Sequence, residues 1–112
     1  MIITLNEKDV IVELSIAGRL DAVTAVEADK KFSTIIDEEK NNLLINLAEL
    51  DYISSAGLRV LLVVAKRIQQ NRGKIVLCAL NSNVKEIFEI SGFSSIFSIF
   101  ANSEKAIKSF EA

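Results

Sequence analysis

Two adjacent serines, Ser54 and Ser55, are the residues of this chain best placed to take part in chemistry. They lie where one short apolar stretch ends and a second, helix-forming stretch begins. The first turn of a helix leaves backbone N–H groups without partners and carries partial positive charge, so it accepts a hydroxyl cap and stabilises an added anion. The pair is therefore a candidate for a helix cap and for a phosphate acceptor.

The residues around the serines assign them different roles. If Ser54 is the N-cap, Ile53 and Leu58 occupy the two positions of a hydrophobic staple. We therefore predict that Ser54 caps the helix and that Ser55, the first helical residue, presents its hydroxyl to solvent. Gly57 in the first turn costs about 1 kcal/mol relative to Ala. We interpret its missing side chain as leaving Ser55 open to a partner.

Other kinds of chemistry have little support in the sequence. The chain contains no histidine, which removes the commonest general base and excludes Ser-His-Asp and Cys-His nucleophile systems. It also lacks a glycine-rich phosphate-cradling loop and metal-ligand spacing. Its one cysteine, Cys78, lies in an apolar run typical of inert packing. We expect no enzyme activity, no cofactor and no metal.

Size and charge indicate one globular domain spanning residues 1–112. Half of the residues are hydrophobic and the formal net charge is only −2, which gives no electrostatic reason to bind nucleic acid or an anionic membrane. No signal-peptide pattern is present, and no apolar run approaches the roughly 20 residues that span a bilayer. We expect a cytoplasmic protein whose partners are other proteins.

Hydrophobic periodicity predicts an α/β fold with a single mixed sheet of about five strands and about four helices. Strands 2–6 and 10–17 are expected to pair antiparallel. The later alternation of strands and helices predicts parallel pairing through right-handed crossovers. The remaining strands are expected at 43–47, 75–80 and 96–100, and the helices at 22–39, 55–71, about 82–90 and 103–112.

The helix at 55–71 carries an apolar stripe and a mixed opposite face. The predicted buried stripe comprises Leu58, Leu61, Leu62, Ala65 and Ile68. Val60 and Val63 fall among cations such as Arg59 on the other side. Two interpretations stay open: these valines are ordinary scattered apolar residues, or they belong to a docking surface beside the serines.

Two further loops carry polar residues next to predicted helix starts. Asp21 and Thr24 lie at the start of the helix at 22–39, and either residue can cap that helix. Asp21 alternatively belongs to a binding edge. Asn81 and Ser82 form a turn and cap before the helix at about 82–90. Because these loops follow strands, they can share one edge of the fold with Ser55.

Four segments together resemble a known family. They are Gly18-Arg-Leu-Asp21, the stretch from Asn46 to Arg59 containing Ile-Ser-Ser-Ala-Gly-Leu, Arg72-Gly-Lys-Ile-Val-Leu-Cys-Ala-Leu-Asn81, and Val84-Lys-Glu-Ile-Phe-Glu-Ile-Ser-Gly-Phe93. In this order they look like the STAS domain of bacterial anti-sigma factor antagonists. The resemblance implies that the unmodified protein binds an anti-sigma factor serine kinase and so releases a sigma factor.

The same resemblance implies control by phosphorylation. Aligning Gly57 and Leu58 on the family motif makes Ser55 the phosphoacceptor, with inactivation by the kinase and reversal by a serine phosphatase. Well-known members often carry aspartate where this chain has Ser54, which makes Ser54 the second candidate. The implied docking residues are Asp21, Thr24, Ser54, Ser55, Ala56, Gly57, Leu58, Arg59, Val60, Val63, Asn81 and Ser82.

An alternative from a different class also fits the sequence. It is a STAS adaptor subunit of a signalling assembly or a lipid transport complex that is not phosphorylated. The predicted apolar strand at 96–100 can form a sheet edge, so both a monomer and a weak homodimer are compatible with the sequence.

Overall fold

A computed structural model describes residues 1–111 of the chain. Its strands are β1 (Ile2–Lys8), β2 (Ile11–Leu20), β3 (Asn42–Asn46), β4 (Leu50–Ile53), β5 (Lys74–Cys78) and β6 (Ser98–Phe100). Its helices are α1 (Thr24–Asp37), α2 (Ser55–Gln70), α3 (Ser82–Ser91) and α4 (Ser103–Lys108), with a 3₁₀ turn at Phe93–Ser95. Position 112, the end of the predicted last helix, lies outside the described residues.

The strands form one mixed sheet, as predicted. The hairpin of β1 and β2 is antiparallel, whereas β2 with β3, β3 with β5, and β5 with β6 are parallel. The main order is β1-β2-β3-β5-β6, and β4 pairs in parallel with the final residues of β2. Since parallel strands share a direction, the loops that lead into α1, α2 and α3 lie toward one end of the sheet.

The separate strand β4 is the main feature that the sequence prediction lacks. Its four residues alternate poorly, because exposed Asp51 and Tyr52 lie side by side between two buried residues. A register shift between Gly18 and Arg19 leaves Asp51 without an opposite residue on β2. The strand β2 also runs three residues beyond the predicted 10–17, and these residues provide the edge on which β4 pairs.

Helices cover the two faces of the sheet unequally. The larger core cluster joins one face to α1, α2 and α3 and includes the fully buried Phe32 and Phe88. A smaller cluster around Leu44, Val76 and Ala106 lies under α4. It also contains Cys78, whose thiol has its pKa raised to about 11 by burial. This thiol is protonated at neutral pH and packs as a small apolar group, in agreement with the prediction.

The buried stripe of α2 differs from the prediction at one position. Val64 is 1% exposed and belongs to the core, whereas Leu62 is only half-buried. The buried side of α2 includes Val64 because α2 packs against α1 as well as against the sheet. Arg67 fixes that contact by donating to the Ser33 hydroxyl and the Asp37 carboxylate of α1, at 2.9 and 3.2 Å.

Within residues 1–111, no helix combines the length and the apolar character needed to cross a bilayer.

Candidate functional site

Ser54 connects β4 to α2 and caps the helix, which confirms the prediction. Its backbone is extended, and its hydroxyl oxygen accepts a hydrogen bond from the N–H of Gly57 at 3.3 Å. Its own N–H donates to the carbonyl of Leu20 at 2.9 Å, which ties the junction to the end of β2. Ile53 and Leu58, the two staple residues, are both buried in the same core cluster.

Unlike the hydroxyl of Ser54, the hydroxyl of Ser55 does not take part in capping α2. It is the first residue of α2 and is exposed. None of the side-chain hydrogen bonds formed within the described part of the chain involves it. The geometry therefore separates the two serines into one that completes the helix and one whose oxygen is open to a reagent or a partner.

The role predicted for Gly57 is wrong. The residue is buried and faces β2, not the solvent beside Ser55. A Cβ atom at this position would lie 2.6 Å from the carbonyl oxygen of Leu20 and 2.9 Å from side-chain atoms of Ile53 and Leu20. Glycine is required here because α2 begins in direct contact with the end of β2. The sequence shows the missing side chain but not the strand that occupies its space.

The division between the serines predicts unequal effects on stability. Replacing Ser54 by Ala should lower the free energy of unfolding by about 1 kcal/mol, because the N–H of Gly57 loses its acceptor. Replacing Ser55 by Ala should change it by less than about 0.5 kcal/mol, since an exposed hydroxyl without a protein partner is removed. Urea denaturation followed by circular dichroism measures both values. Equal losses for the two variants would contradict the assignment of the cap to Ser54.

The Asp21–Thr24 loop lies beside the serine junction and forms a reciprocal cap. The carboxylate of Asp21 accepts from the N–H groups of Val23 and Thr24, at 3.0 and 3.1 Å. The hydroxyl of Thr24 accepts in return from the N–H of Asp21 at 2.9 Å. The Thr24 backbone hydrogen bond is the main cause that lowers the pKa of the Asp21 carboxyl. The capping role of Asp21 is therefore confirmed, and a role in docking stays a prediction.

Arg19 and Tyr52 were not among the predicted site residues. They face each other in the β2–β4 register, with the guanidinium 4.4 Å from the centre of the Tyr52 ring. The guanidinium of Arg19 also lies 3.6 Å from the carboxylate of Asp21. No local sequence signal pairs these residues, because their contact depends on the parallel pairing of β4 with the end of β2.

An apolar groove runs between α1 and α2 close to Ser55. It has a volume of 380 Å³ and is lined by Ala25, Val26, Asp29, Arg59, Val60 and Val63. Val63 is 43% exposed and Val26 is 59% exposed, so the groove wall is open to solvent. This grouping favours a docking surface over scattered apolar residues, the alternative left open by the sequence.

The two helices contribute to this groove in different ways. Ser55, Arg59 and Val63 follow one another at intervals of four residues, so one stripe of α2 leads from the serine to the groove. On α1, Val23 and Val26 do not pack on the core. They are exposed instead, because Ala25, Ala28 and Phe32 form the buried stripe.

The third predicted loop lies farther from Ser55 than expected. Asn81 caps α3 by accepting from the N–H of Val84 at 2.9 Å, and it donates to the carbonyl of Leu50 at 2.8 Å. This places Asn81 at the start of β4, about 13 Å along the strand from Ser54. Ser82 follows it and is exposed. The three loops lie toward the same end of the sheet, and Asn81 contacts the start of β4.

The predicted docking residues of α2 are not all accessible. Gly57 and Leu58 are buried and Ala56 is half-buried. Gly57 and Leu58 therefore lie beneath the docking surface. The Leu58 side chain is not available to a partner because it packs against the core, and Gly57 has no side chain. Exposed Ser55, Arg59 and Val63 and half-buried Val60 form the accessible part.

The charges near Ser55 favour an added anion. The first turn of α2 contains no acidic residue, and Arg59 is exposed one turn after the serine. The start of the 16-residue helix contributes partial positive charge as well. In the part of the chain that the structure describes, no three acidic residues or cysteines converge to hold a metal ion.

Known proteins share this sequence pattern. A family model described as the STAS domain matches residues 3–106. BtrV of Bordetella bronchiseptica, which is named as an anti-sigma factor antagonist, is 38% identical over 111 residues. The match covers 99% of this chain and 96% of BtrV, so the similarity extends over nearly the full length of both.

Solved structures share the fold. The Thermotoga maritima protein tm1081, described as an anti-sigma factor antagonist, superimposes with a TM-score of 0.94 at 20% identity, covering 98% of this chain and 95% of that one. The Bacillus cell fate determinant SpoIIAA in its phosphorylated form gives a TM-score of 0.76 at 21% identity, with coverage of 96% and 97%. At these identities the likeness concerns the fold.

Proposed function

The chain belongs to the STAS domain family and, within it, to the anti-sigma factor antagonists, and from this premise we propose that phosphorylation of Ser55 controls its activity. One observation carries the proposal. Ser55 presents a hydroxyl without a protein partner at the start of α2, while Ser54 alone caps the helix. A modification of Ser55 therefore changes the surface and leaves the helix start intact.

The unmodified protein binds an anti-sigma factor serine kinase and thereby frees a sigma factor. Its docking surface comprises Ser55, the Asp21–Thr24 loop and the groove between α1 and α2. The groove supports this role because it exposes Val26 and Val63, and the α2 stripe of Ser55, Arg59 and Val63 leads to it from the serine. The protein acts as a cytoplasmic binding module and carries out no catalysis of its own.

Phosphorylation adds charge where the fold tolerates it and the complex does not. The kinase transfers the γ-phosphoryl group of ATP to the Ser55 oxygen, which breaks the bond between the γ-phosphorus and the β–γ bridging oxygen and releases ADP, and the proton of the serine hydroxyl is lost to water. The product carries about −1.5 to −2 charges beside the positive end of α2, where an anion is stabilising. A kinase surface packed over Ser55 has to desolvate that charge, which weakens the complex. A metal-dependent serine phosphatase reverses the change by hydrolysis.

The named relatives support a phosphorylated state on this fold. SpoIIAA is known in a phosphorylated form, and BtrV carries the name of an anti-sigma factor antagonist. Neither name identifies the modified residue of this chain. The separation of Ser54 and Ser55 supports Ser55, because the Ser54 hydroxyl is occupied by the cap with the N–H of Gly57, whereas the Ser55 hydroxyl has no protein partner among the described residues.

The test is a phosphorylation assay with mapping. The protein is incubated with ATP and its cognate anti-sigma factor serine kinase, and the product is digested for mass spectrometry. We expect phosphate on Ser55, its loss in Ser55→Ala and its retention in Ser54→Ala. Modification of Ser54 would assign the switch to the other serine. Kinase binding without phosphate on either serine would instead favour the adaptor function.

A further inference from the structure

Arg59 belongs both to the phosphorylation site and to the docking groove. It follows Ser55 by four residues on α2 and lines the groove together with Val60 and Val63. We infer that the guanidinium of Arg59 binds the phosphate of phosphorylated Ser55 and leaves the groove when it does so. This inference deepens the proposed function and rests on it, because it presupposes a phosphate on Ser55.

Helix geometry places the two side chains within reach of each other. Residues four apart on a helix have Cβ atoms about 5–6 Å apart, and the long arginine side chain easily spans that distance. Both residues are exposed, so neither has to leave a packed position. A guanidinium offers a phosphate two parallel N–H donors, which makes this pair stronger than an ordinary surface ion pair.

The other arginines near this surface have partners, whereas Arg59 does not. Arg19 lies against Asp21 and Tyr52, and Arg67 pairs with Asp37. Within residues 1–111, none of the ion pairs shorter than 4.0 Å involves Arg59. Asp29, which lines the same groove, is therefore not joined to it by a salt bridge. Binding a phosphate costs Arg59 no existing ion pair.

The contact gives phosphorylation a second effect on the docking surface. In the unmodified protein the Arg59 side chain is part of the groove wall beside Val60 and Val63. Drawing its guanidinium toward the start of α2 changes the shape and the charge of that wall. The modification then alters the groove as well as the surface directly over Ser55.

The experiment introduces phosphoserine at position 55 during translation, so it does not depend on any kinase. A ³¹P NMR titration measures the second pKa of the phosphate in the wild-type background and in Arg59→Gln. We expect this pKa to be higher in Arg59→Gln by roughly half a unit, because the cation that favours the dianion is lost. Lys66→Gln, which removes an equal charge elsewhere on α2, should leave it unchanged.

A second measurement follows the groove. Phosphoserine at position 55 should shift the methyl resonances of Val63 in the wild-type background, and Arg59→Gln should remove most of this shift. Equal phosphate pKa values in the two backgrounds, or an unchanged Val63 response in Arg59→Gln, would overturn the inference. The kinase affinity of the phosphoserine protein is measured alongside. A loss of binding in both backgrounds would uphold the proposed function even if the role of Arg59 failed.

Discussion

Replacing Ser55 by Asp should weaken binding of the anti-sigma factor kinase by roughly 100-fold or more, which corresponds to about 2.7 kcal/mol. The carboxylate places a fixed negative charge at an exposed position that the complex covers, and its desolvation opposes binding. The fold should not suffer, because an acidic residue in the first turn of a helix is favourable. The free energy of unfolding is expected to stay within about 0.5 kcal/mol of the wild-type value.

Calorimetric titration with the kinase and urea denaturation of the free protein measure these two effects separately. Ser55→Ala is the matched control, because it removes the hydroxyl without adding charge and should retain affinity. Val63→Asp tests the groove at the other end of the same stripe and should also weaken binding. Ile90→Asp alters a residue of α3 that is 79% exposed and should have no effect. Unchanged affinity in Ser55→Asp would contradict the proposed docking surface.

The cap and the main sheet could be predicted because their signals are local. Ser54 was distinguished from Ser55 by the staple residues that flank them within five positions. The antiparallel hairpin and the parallel crossovers follow from the order of strands and helices. The strand β4 was missed since its four residues show no alternation and its pairing depends on the bulge beside Gly18, far away in the sequence.

The groove was only half predictable for a related reason. A helical wheel places Val60 and Val63 off the buried stripe of α2, and both line the groove. On α1, Val26 is exposed, whereas small Ala25 and Ala28 face the core. Alanines allow α1 to approach the core closely, and their weak apolar signal hides the true buried face from a sequence pattern.

Gly57 shows how the same sequence feature supports two opposite explanations. A glycine that only keeps Ser55 accessible would be replaced by Ala with a gain in helix propensity of about 1 kcal/mol. A glycine that allows α2 to contact β2 would be replaced with a loss. The contact geometry supports the second explanation, because the added Cβ would lie 2.6 Å from a backbone oxygen of Leu20, far inside normal contact.

Gly57→Ala should therefore lower the free energy of unfolding by about 1–3 kcal/mol, in the range of overpacked cores. The carbonyl of Leu20 cannot simply move away, because it also accepts from the N–H of Ser54 at 2.9 Å. Moving α2 instead separates Gly57 from Ile53 and Leu20, whose side chains fill the same space. The loss in packing and hydrogen bonding thus exceeds the gain in helix propensity.

Urea denaturation of Gly57→Ala measures this loss, with Ala56→Gly as the matched control. That control removes a methyl group from the same helical turn and should cost about 1 kcal/mol through helix propensity alone. Folded Gly57→Ala protein should still be phosphorylated on Ser55, because the exposed hydroxyl lies on the opposite side of the turn from the contact with Leu20. A gain in stability would refute the close approach of α2 to β2 and restore the explanation in which Gly57 keeps Ser55 open.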